Sequence, residues 1–168
     1  MADGQDYFII LLVLSVLLNF IFPVLAFLSP PFTYSGFLII GFGLVLILKS
    51  RSLFLKNATT LQPSEEPTSL VTYGPFRISR NPMYLGMASI LLGVAVLLGT
   101  LVTLAFPVIF VALIEFFIIP GEERKMEKIF GEPYREYKKR SKVDITPYAF
   151  LMWHKPWCAE PFLSFIDV

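Results

Sequence analysis

Two short polar segments of this sequence contain the residue types that bind and orient small molecules. The first, "GPFRISRNPMYLG", carries Arg77, Arg80 and Asn81-Pro82 directly before a long apolar run. Asparagine is a favoured N-cap and proline suits the first helical position, so a helix should begin here. Its first N–H groups and the two arginines would attract a carboxylate or phosphate. Alternatively, the arginines extend to lipid headgroups and Tyr84 joins an aromatic belt at the membrane surface.

The second segment, "IIPGEERKMEKIFGEPYREYKKR", places two carboxylates, Glu122 and Glu123, directly after Pro120-Gly121. Apolar and aromatic residues then recur at helical spacing between lysines and arginines. This pattern predicts an amphipathic helix at a membrane interface. The two acids are also the residues that a helix start ordinarily favours, so a purely structural role stays open.

The composition requires a membrane domain to hold these segments. Hydrophobic residues make up 55% of the chain and the net charge is only +1, which gives no indication of nucleic-acid binding. A single cysteine, Cys158, excludes an intrachain disulfide, and a single histidine, His154, argues against a histidine-based metal cluster. Both lie in the tail segment "LMWHKPWCAEPF", to which no chemistry is assigned.

Three apolar runs, one of them long enough for two helices, predict an all-α, polytopic membrane protein forming a single domain over residues 1–168. A span needs about 20 apolar residues, and the break "LLGTLVT" around Gly99 and Thr100 divides one overlong run into a hairpin. The predicted spans are residues 7–28, 32–48, 83–99 and 101–119. A loop at 49–82 and a C-terminal amphipathic helix and tail at 121–168 complete the expected organisation.

The distribution of cations predicts the orientation. In a four-span chain, Lys49, Arg51 and Lys56, the two arginines of the first motif, and the basic stretch 124–142 all fall on one side. The opposite turns carry no cations. The positive-inside tendency therefore places both termini and the 49–82 segment in the cytoplasm.

This topology brings the two polar segments to the same membrane face. Two arginines, a helix start and two carboxylates would then lie in one layer, where a zwitterion with a sulfonium centre finds partners for its carboxylate, amino group and hydroxyls. Glu115 is the one ionisable residue within the predicted hairpin, and an acid inside a membrane is a functional candidate by default. It lies seven residues before Glu122, on about the same face of a regular helix. A structural pairing with Lys49 or Arg77 is an equal alternative.

The paired segments "LVTYGPFRISRNPMYLG" and "EERKMEKIFGEPYREYKKR" resemble the signature of the isoprenylcysteine carboxyl methyltransferase and phospholipid methyltransferase superfamily. Its members are integral-membrane enzymes that use S-adenosylmethionine. The resemblance covers roughly residues 60–147, and it implies a C-terminal helix that folds over the cofactor.

The resemblance also implies a set of site residues. Those implied to bind the cofactor are Thr68, Ser69, Leu70, Val71, Phe76, Arg77, Asn81, Pro82, Met83, Tyr84, Glu122 and Glu123. We expect Arg80, Tyr84 and Glu115 to act on the reacting groups, by orientation and proton transfer rather than covalent catalysis.

The methyl acceptor is expected to be lipid-like and to enter from the bilayer. The interpretation favoured from the sequence is isoprenylcysteine carboxyl O-methylation, with phospholipid N-methylation of the phosphatidylethanolamine type or methylation of a small thiol as alternatives. One departure weakens carboxyl methylation: no lysine or arginine occurs from Leu85 to Glu123, where the prenylcysteine branch is expected to carry an arginine before the acid pair. A small transport subunit or a catalytically idle assembly partner remains the non-enzymatic alternative.

Overall fold

The computed structural model describes residues 4–21, 28–57, 69–77 and 79–140. Over these residues the chain is helical, with short connections and no extended strand. Thr68 and the tail that contains His154 and Cys158 lie outside the described residues.

The described chain forms six α-helices. They are α1 (Gly4–Ile21), α2 (Ser35–Lys56), α3 (Pro82–Leu98), α4 (Leu101–Leu113), α5 (Ile119–Phe130) and α6 (Glu132–Arg140). In the described residues, Gly4–Ile21, Phe32–Lys56 and Leu101–Phe130 are long and apolar enough to cross a membrane, and α3 is a shorter apolar helix. Many large apolar side chains on these helices are exposed, as a lipid-facing surface requires. The predicted all-α membrane fold is confirmed.

Helices α2 and α3 approach each other closely through two pairs of glycines. Gly36 faces Gly93, and Gly43 faces Gly86, so that a Cβ added to any of the four would lie within 2.9 Å of a backbone oxygen on the opposite helix. Small residues at seven-residue spacing permit this separation in a membrane, where helix association depends on close packing. The contact fixes the position of the start of α3 relative to the end of α2.

The predicted hairpin at Gly99 and Thr100 is confirmed. Gly99 ends α3 in the left-handed conformation (φ 67°), and Thr100 precedes α4 in an extended one. The Thr100 hydroxyl donates a hydrogen bond to Asn19 Oδ1 at 3.0 Å, which joins α1 to this turn. The Leu28 N–H also donates to the Gly99 carbonyl.

The fourth apolar helix does not end at Pro120-Gly121, contrary to the sequence-based expectation. A π-helical turn, Ile114–Ile118, joins α4 directly to α5, and the Ile119 N–H donates to the Ile114 carbonyl. Proline lacks an N–H and its ring clashes with the carbonyl four residues earlier, so the widened turn lets the chain stay helical through Pro120. Because a π turn shifts the register by about one residue, the regular helix assumed for Glu115 and Glu122 is not present.

Other predicted boundaries also move. Among the described residues, α1 comprises Gly4–Ile21, and Leu28 is not helical. Helix α2 continues past Leu48 to Lys56 because no breaker follows Lys49, whose long side chain can extend to the interface. The expected single amphipathic helix is divided at Gly131, where φ is 58°.

The two short helices after the membrane hairpin fold back over the start of α3. A cluster formed by Val71, Phe76, Tyr134 and Tyr137 joins the segment before α3 to α6. The Tyr137 hydroxyl donates to the Phe76 carbonyl at 2.7 Å. These contacts hold α6 next to the α3 start and complete the layer in which the candidate site lies.

Candidate functional site

The start of α3 follows the sequence prediction in position but not in capping. Pro82 occupies the first helical position, and Asn81 is the N-cap residue, yet its side chain makes no capping hydrogen bond. The Asn81 N–H instead donates to Ser79 Oγ at 3.3 Å. Pro82 is fully buried and Met83 is half-buried. The segment is therefore fixed by its backbone and by Pro82 rather than by the Asn81 amide.

The acid pair of α5 contacts the start of α3 directly. The Tyr84 hydroxyl donates to Glu122 Oε1 at 2.6 Å, and Arg80 Nη1 forms an ion pair with Glu123 Oε1 at 2.8 Å. The side chains of Arg80 and Glu123 are 11% and 17% exposed, so water screens this pair less than one at the surface. Two segments separated by about forty residues thus form one polar layer.

Lys138 of α6 adds a second cation to this layer. Its Nζ lies 2.6 Å from Glu123 Oε2 and 3.3 Å from Glu127 Oε1. The hydrogen bond to Glu123 raises the pKa of Lys138 above its ordinary value. Glu123 is therefore bound through one carboxylate oxygen to the segment just before α3 and through the other to α6.

Tyr134 lies beside the same charges. Burial raises the pKa of its hydroxyl, and the negative charge of Glu123 acts in the same direction. The phenol therefore stays neutral over the physiological range. It packs with Val71, Phe76 and Tyr137 on the apolar side of the polar layer.

The other residues predicted for the site lie apart from the acid pair. Leu70, Val71 and Phe76 belong to or pack against the apolar cluster beneath α6, and the Ser69 hydroxyl donates to the Asn57 carbonyl. Arg77 is exposed at the end of the short helix Gly74–Arg77, whereas Arg80 binds the acid pair. Glu115 is buried (7% exposed) in the π turn, within the bundle rather than at its lipid-facing surface.

Three contributors are not identified by the sequence motifs. Lys138 and Tyr134 reach the layer because the turn at Gly131 brings α6 back onto α5, whose own Glu127 then contacts Lys138. In the sequence, the tyrosines of α6 belong to the apolar and aromatic residues that recur at helical spacing. That spacing does not show which carboxylate Lys138 binds. The sequence signal for this change of direction is Gly131 itself, because a glycine in the left-handed region frequently ends a helix.

The fold and these contacts define a helical membrane protein with a charged site at one end of its bundle. The family model described as "Phospholipid methyltransferase" matches residues 32–133, and the chain belongs to this family. The family is part of the superfamily of integral-membrane methyltransferases that also contains the isoprenylcysteine carboxyl methyltransferases, so the resemblance stated from the motifs is confirmed. The comparison with curated proteins gives no match.

Family membership indicates a membrane methyltransferase whose acceptors are lipid-like. The match includes α2, α3, α4 and α5, and therefore the first polar segment and the acid pair of the second. It begins after α1 and ends at the first turn of α6. Tyr134 and Lys138, which α6 contributes to the site, therefore lie outside the matched segment.

Proposed function

We propose that this protein transfers a methyl group from S-adenosylmethionine to the amine of a phospholipid-like acceptor. The observation that carries the proposal is the pair of contacts Tyr84–Glu122 and Arg80–Glu123, which joins the α3 start to the acid pair. Family membership supports the reaction class. The cofactor, the acceptor and the residue roles are parts of the proposal.

The chemistry of the polar layer fits the charged part of the cofactor. Arg80 and Lys138 supply two formal positive charges against three carboxylates, Glu122, Glu123 and Glu127, which leaves one net negative charge. S-Adenosylmethionine carries one net positive charge, since its sulfonium and ammonium outweigh its carboxylate. Demethylated cofactor has lost the sulfonium charge, so the same layer binds it less strongly through Coulomb attraction.

Individual residues are assigned by this complementarity. Glu122 and Glu123 would bind the cofactor's amino group and hydroxyls, and Arg80 with the α3 start, Asn81 to Tyr84, would bind its carboxylate. Val71 and Phe76 are only 5% exposed beneath Tyr134 and Tyr137, so an adenine ring reaching them requires α6 to move outward. We include Thr68, Ser69, Leu70 and Arg77 in the candidate cofactor set from the family resemblance.

The bound cofactor supplies an activated methyl group, and the protein's task is alignment and exclusion of water. Such positioning accounts for about 7–11 kcal/mol of barrier reduction in well-oriented reactions. An amine acceptor must also lose a proton before or during transfer. Glu115, buried in the π turn, is the proposed acceptor of that proton, and Tyr84 and Arg80 are proposed to orient the reacting groups.

The choice of an amine over a carboxylate revises the interpretation favoured from the sequence. A buried acid attracts a cationic headgroup and repels a carboxylate, and α3 and α4 contain no lysine or arginine to bind one. Carboxyl methylation remains the second candidate because Arg77 is an exposed cation beside Phe76 and is suited to bind an acceptor carboxylate. We also propose that the cofactor enters from the cytoplasm and the acceptor from the bilayer.

The test is binding of radiolabelled S-adenosylmethionine to the purified protein in detergent. Wild type should bind saturably, and Glu122→Gln and Glu123→Gln should each weaken binding at least tenfold, since each removes a charged partner. Glu132→Gln is the matched control, because Glu132 is 65% exposed and pairs with Arg135 at the surface. Equal binding by all four proteins would contradict the proposed site.

A second experiment identifies the acceptor. Wild type is supplied with phosphatidylethanolamine, a prenylated cysteine analogue or a small thiol, and methyl incorporation is measured. We expect phosphatidylethanolamine to be methylated and Glu115→Gln to reduce its rate. Methylation of the prenylated cysteine alone would select the second candidate.

A further inference from the structure

The first turn of α1 lies against Tyr84. Gly4 is buried, although it stands at the beginning of its helix. A Cβ added there would overlap Cε1 of Tyr84 and lie 3.0 Å from Cζ, the ring carbon that carries the hydroxyl. It would also lie 3.1 Å from Cδ1 of Ile114, the residue before Glu115. Only glycine leaves room for the ring in its observed position.

The rest of α1 sets the position of this turn. Leu11 and Ser15 are the other buried residues of the helix, and the spacing of residues 4, 11 and 15 places them on one face. Phe8 packs edge-on against Phe110 of α4, with ring centroids 6.1 Å apart. Gly4 is therefore held over Tyr84 by contacts along the whole helix rather than by a local turn.

The position of the Tyr84 ring determines a contact of the polar layer. Its hydroxyl donates to Glu122 Oε1 at 2.6 Å, and Glu122 belongs to the acid pair proposed to bind the cofactor. Displacing the ring at Cε1 and Cζ displaces the hydroxyl with them. The steric fit at Gly4 is thus connected to the orientation of Glu122 through one side chain.

We propose that α1 forms one wall of the site and that Gly4 is a positioning residue, which holds the Tyr84 hydroxyl on Glu122. This inference rests on the proposed function for its effect on cofactor binding. The family match begins at residue 32, so the wall is supplied by a helix outside the matched segment. Gly4 acts through Tyr84 and does not itself contact the cofactor.

Gly4→Ala tests the inference, with Gly41→Ala as its matched control. Both substitutions replace a helical glycine by a better helix former, but a Cβ at Gly41 meets nothing within 4 Å. The obstacle at Gly4 is the ring end of a side chain, so we expect Gly4→Ala to fold with the ring displaced. Binding of S-adenosylmethionine should weaken about tenfold, the effect of losing a hydrogen bond to a charged group, while Gly41→Ala binds as wild type.

A double-mutant cycle separates positioning from a general structural effect. If Gly4 acts through the tyrosine hydroxyl, Gly4→Ala should weaken binding in wild type but not in Tyr84→Phe, which already lacks the hydroxyl. Equal loss in both backgrounds would overturn the inference. Thermal midpoints of all variants, measured without cofactor, check that the chain is folded.

A readout without cofactor distinguishes this inference from the proposed function. In protein labelled with 3-fluorotyrosine, Tyr84→Phe assigns the Tyr84 fluorine resonance. Gly4→Ala should shift that resonance and Gly41→Ala should not, whereas an unchanged resonance would refute the role of Gly4. If the resonance shifts but wild type does not bind S-adenosylmethionine, the proposed function fails, and with it the assigned effect on binding.

Discussion

Glu123 is the residue on which the charges of the site converge. Its two oxygens bind cations from different segments, Arg80 before α3 at 2.8 Å and Lys138 of α6 at 2.6 Å. The two partners differ in environment, since the Arg80 side chain is 11% exposed and that of Lys138 is 38% exposed. Breaking a buried ion pair costs about 3–5 kcal/mol, whereas an exposed pair contributes about 0–1 kcal/mol. The shorter distance to Lys138 therefore does not make it the stronger contributor.

This difference predicts the relative stability of two variants. Arg80→Met should lower the free energy of unfolding more than Lys138→Met, because it leaves the carboxylate with only the more exposed cation. Chemical unfolding in detergent, followed by circular dichroism, measures both losses. Losses of similar size would show that exposure does not determine the strength of the two pairs.

At the scale of elements, α6 is attached to the site by a lysine whose charge depends on pH. The pKa of Lys138 is raised in the folded state, so its contribution to stability is fully present below the ordinary lysine pKa of about 10.4 and is lost as pH rises through the folded value. The destabilisation caused by Lys138→Met, measured against wild type, should stay constant from pH 7 to about pH 10 and decrease above it. Lys139→Met, at the exposed neighbouring position, is the control for the general effect of removing a lysine from α6. If the destabilisation caused by Lys138→Met already decreased between pH 7 and pH 9, the raised pKa of Lys138 would be contradicted.

The contact between α2 and α3 predicts a second effect at this scale. A Cβ at Gly43 would lie 2.6 Å from the Gly86 carbonyl oxygen, a backbone atom that cannot rotate away. Gly43→Ala should therefore separate the helices and lower the thermal midpoint, since overpacking costs about 1–3 kcal/mol against a gain of about 1 kcal/mol in helix propensity. Gly41→Ala gains the propensity without the clash and should raise or preserve the midpoint. A midpoint for Gly43→Ala as high as that for Gly41→Ala would refute the close approach.

At the scale of the whole molecule, apolar runs and motif residues were sufficient to predict the helical membrane fold, and the two polar segments were expected at one face. Short-range patterns carry that information, because an apolar run defines a span and the Asn81-Pro82 pair defines a helix start. They do not predict the π turn, which lets the helix continue through Pro120 while its side chains stay packed in the bundle. Short-range patterns also do not predict the contacts of Gly4 with Tyr84 or of Lys138 with Glu123, because these contacts depend on how separate helices pack.

The orientation of the bundle is the remaining prediction at this scale. Helix α2 ends with Lys49, Arg51 and Lys56, and the charged helices α5 and α6 lie at the same end of the bundle, whereas the described turns at residues 28–34 and 99–100 carry no cations. The positive-inside tendency predicts that the site and both termini face the cytoplasm.

Cysteine labelling tests this orientation directly. In a Cys158→Ser background, which removes the one native cysteine, Arg124→Cys marks the charged end and Tyr34→Cys the opposite end. Both positions are exposed. A membrane-impermeant maleimide should label Tyr34→Cys in intact cells and Arg124→Cys only after the membrane is opened, because the reagent reaches one side at a time. The reverse pattern would place the acid pair outside the cytoplasm and away from the intracellular supply of S-adenosylmethionine on which the proposed reaction depends.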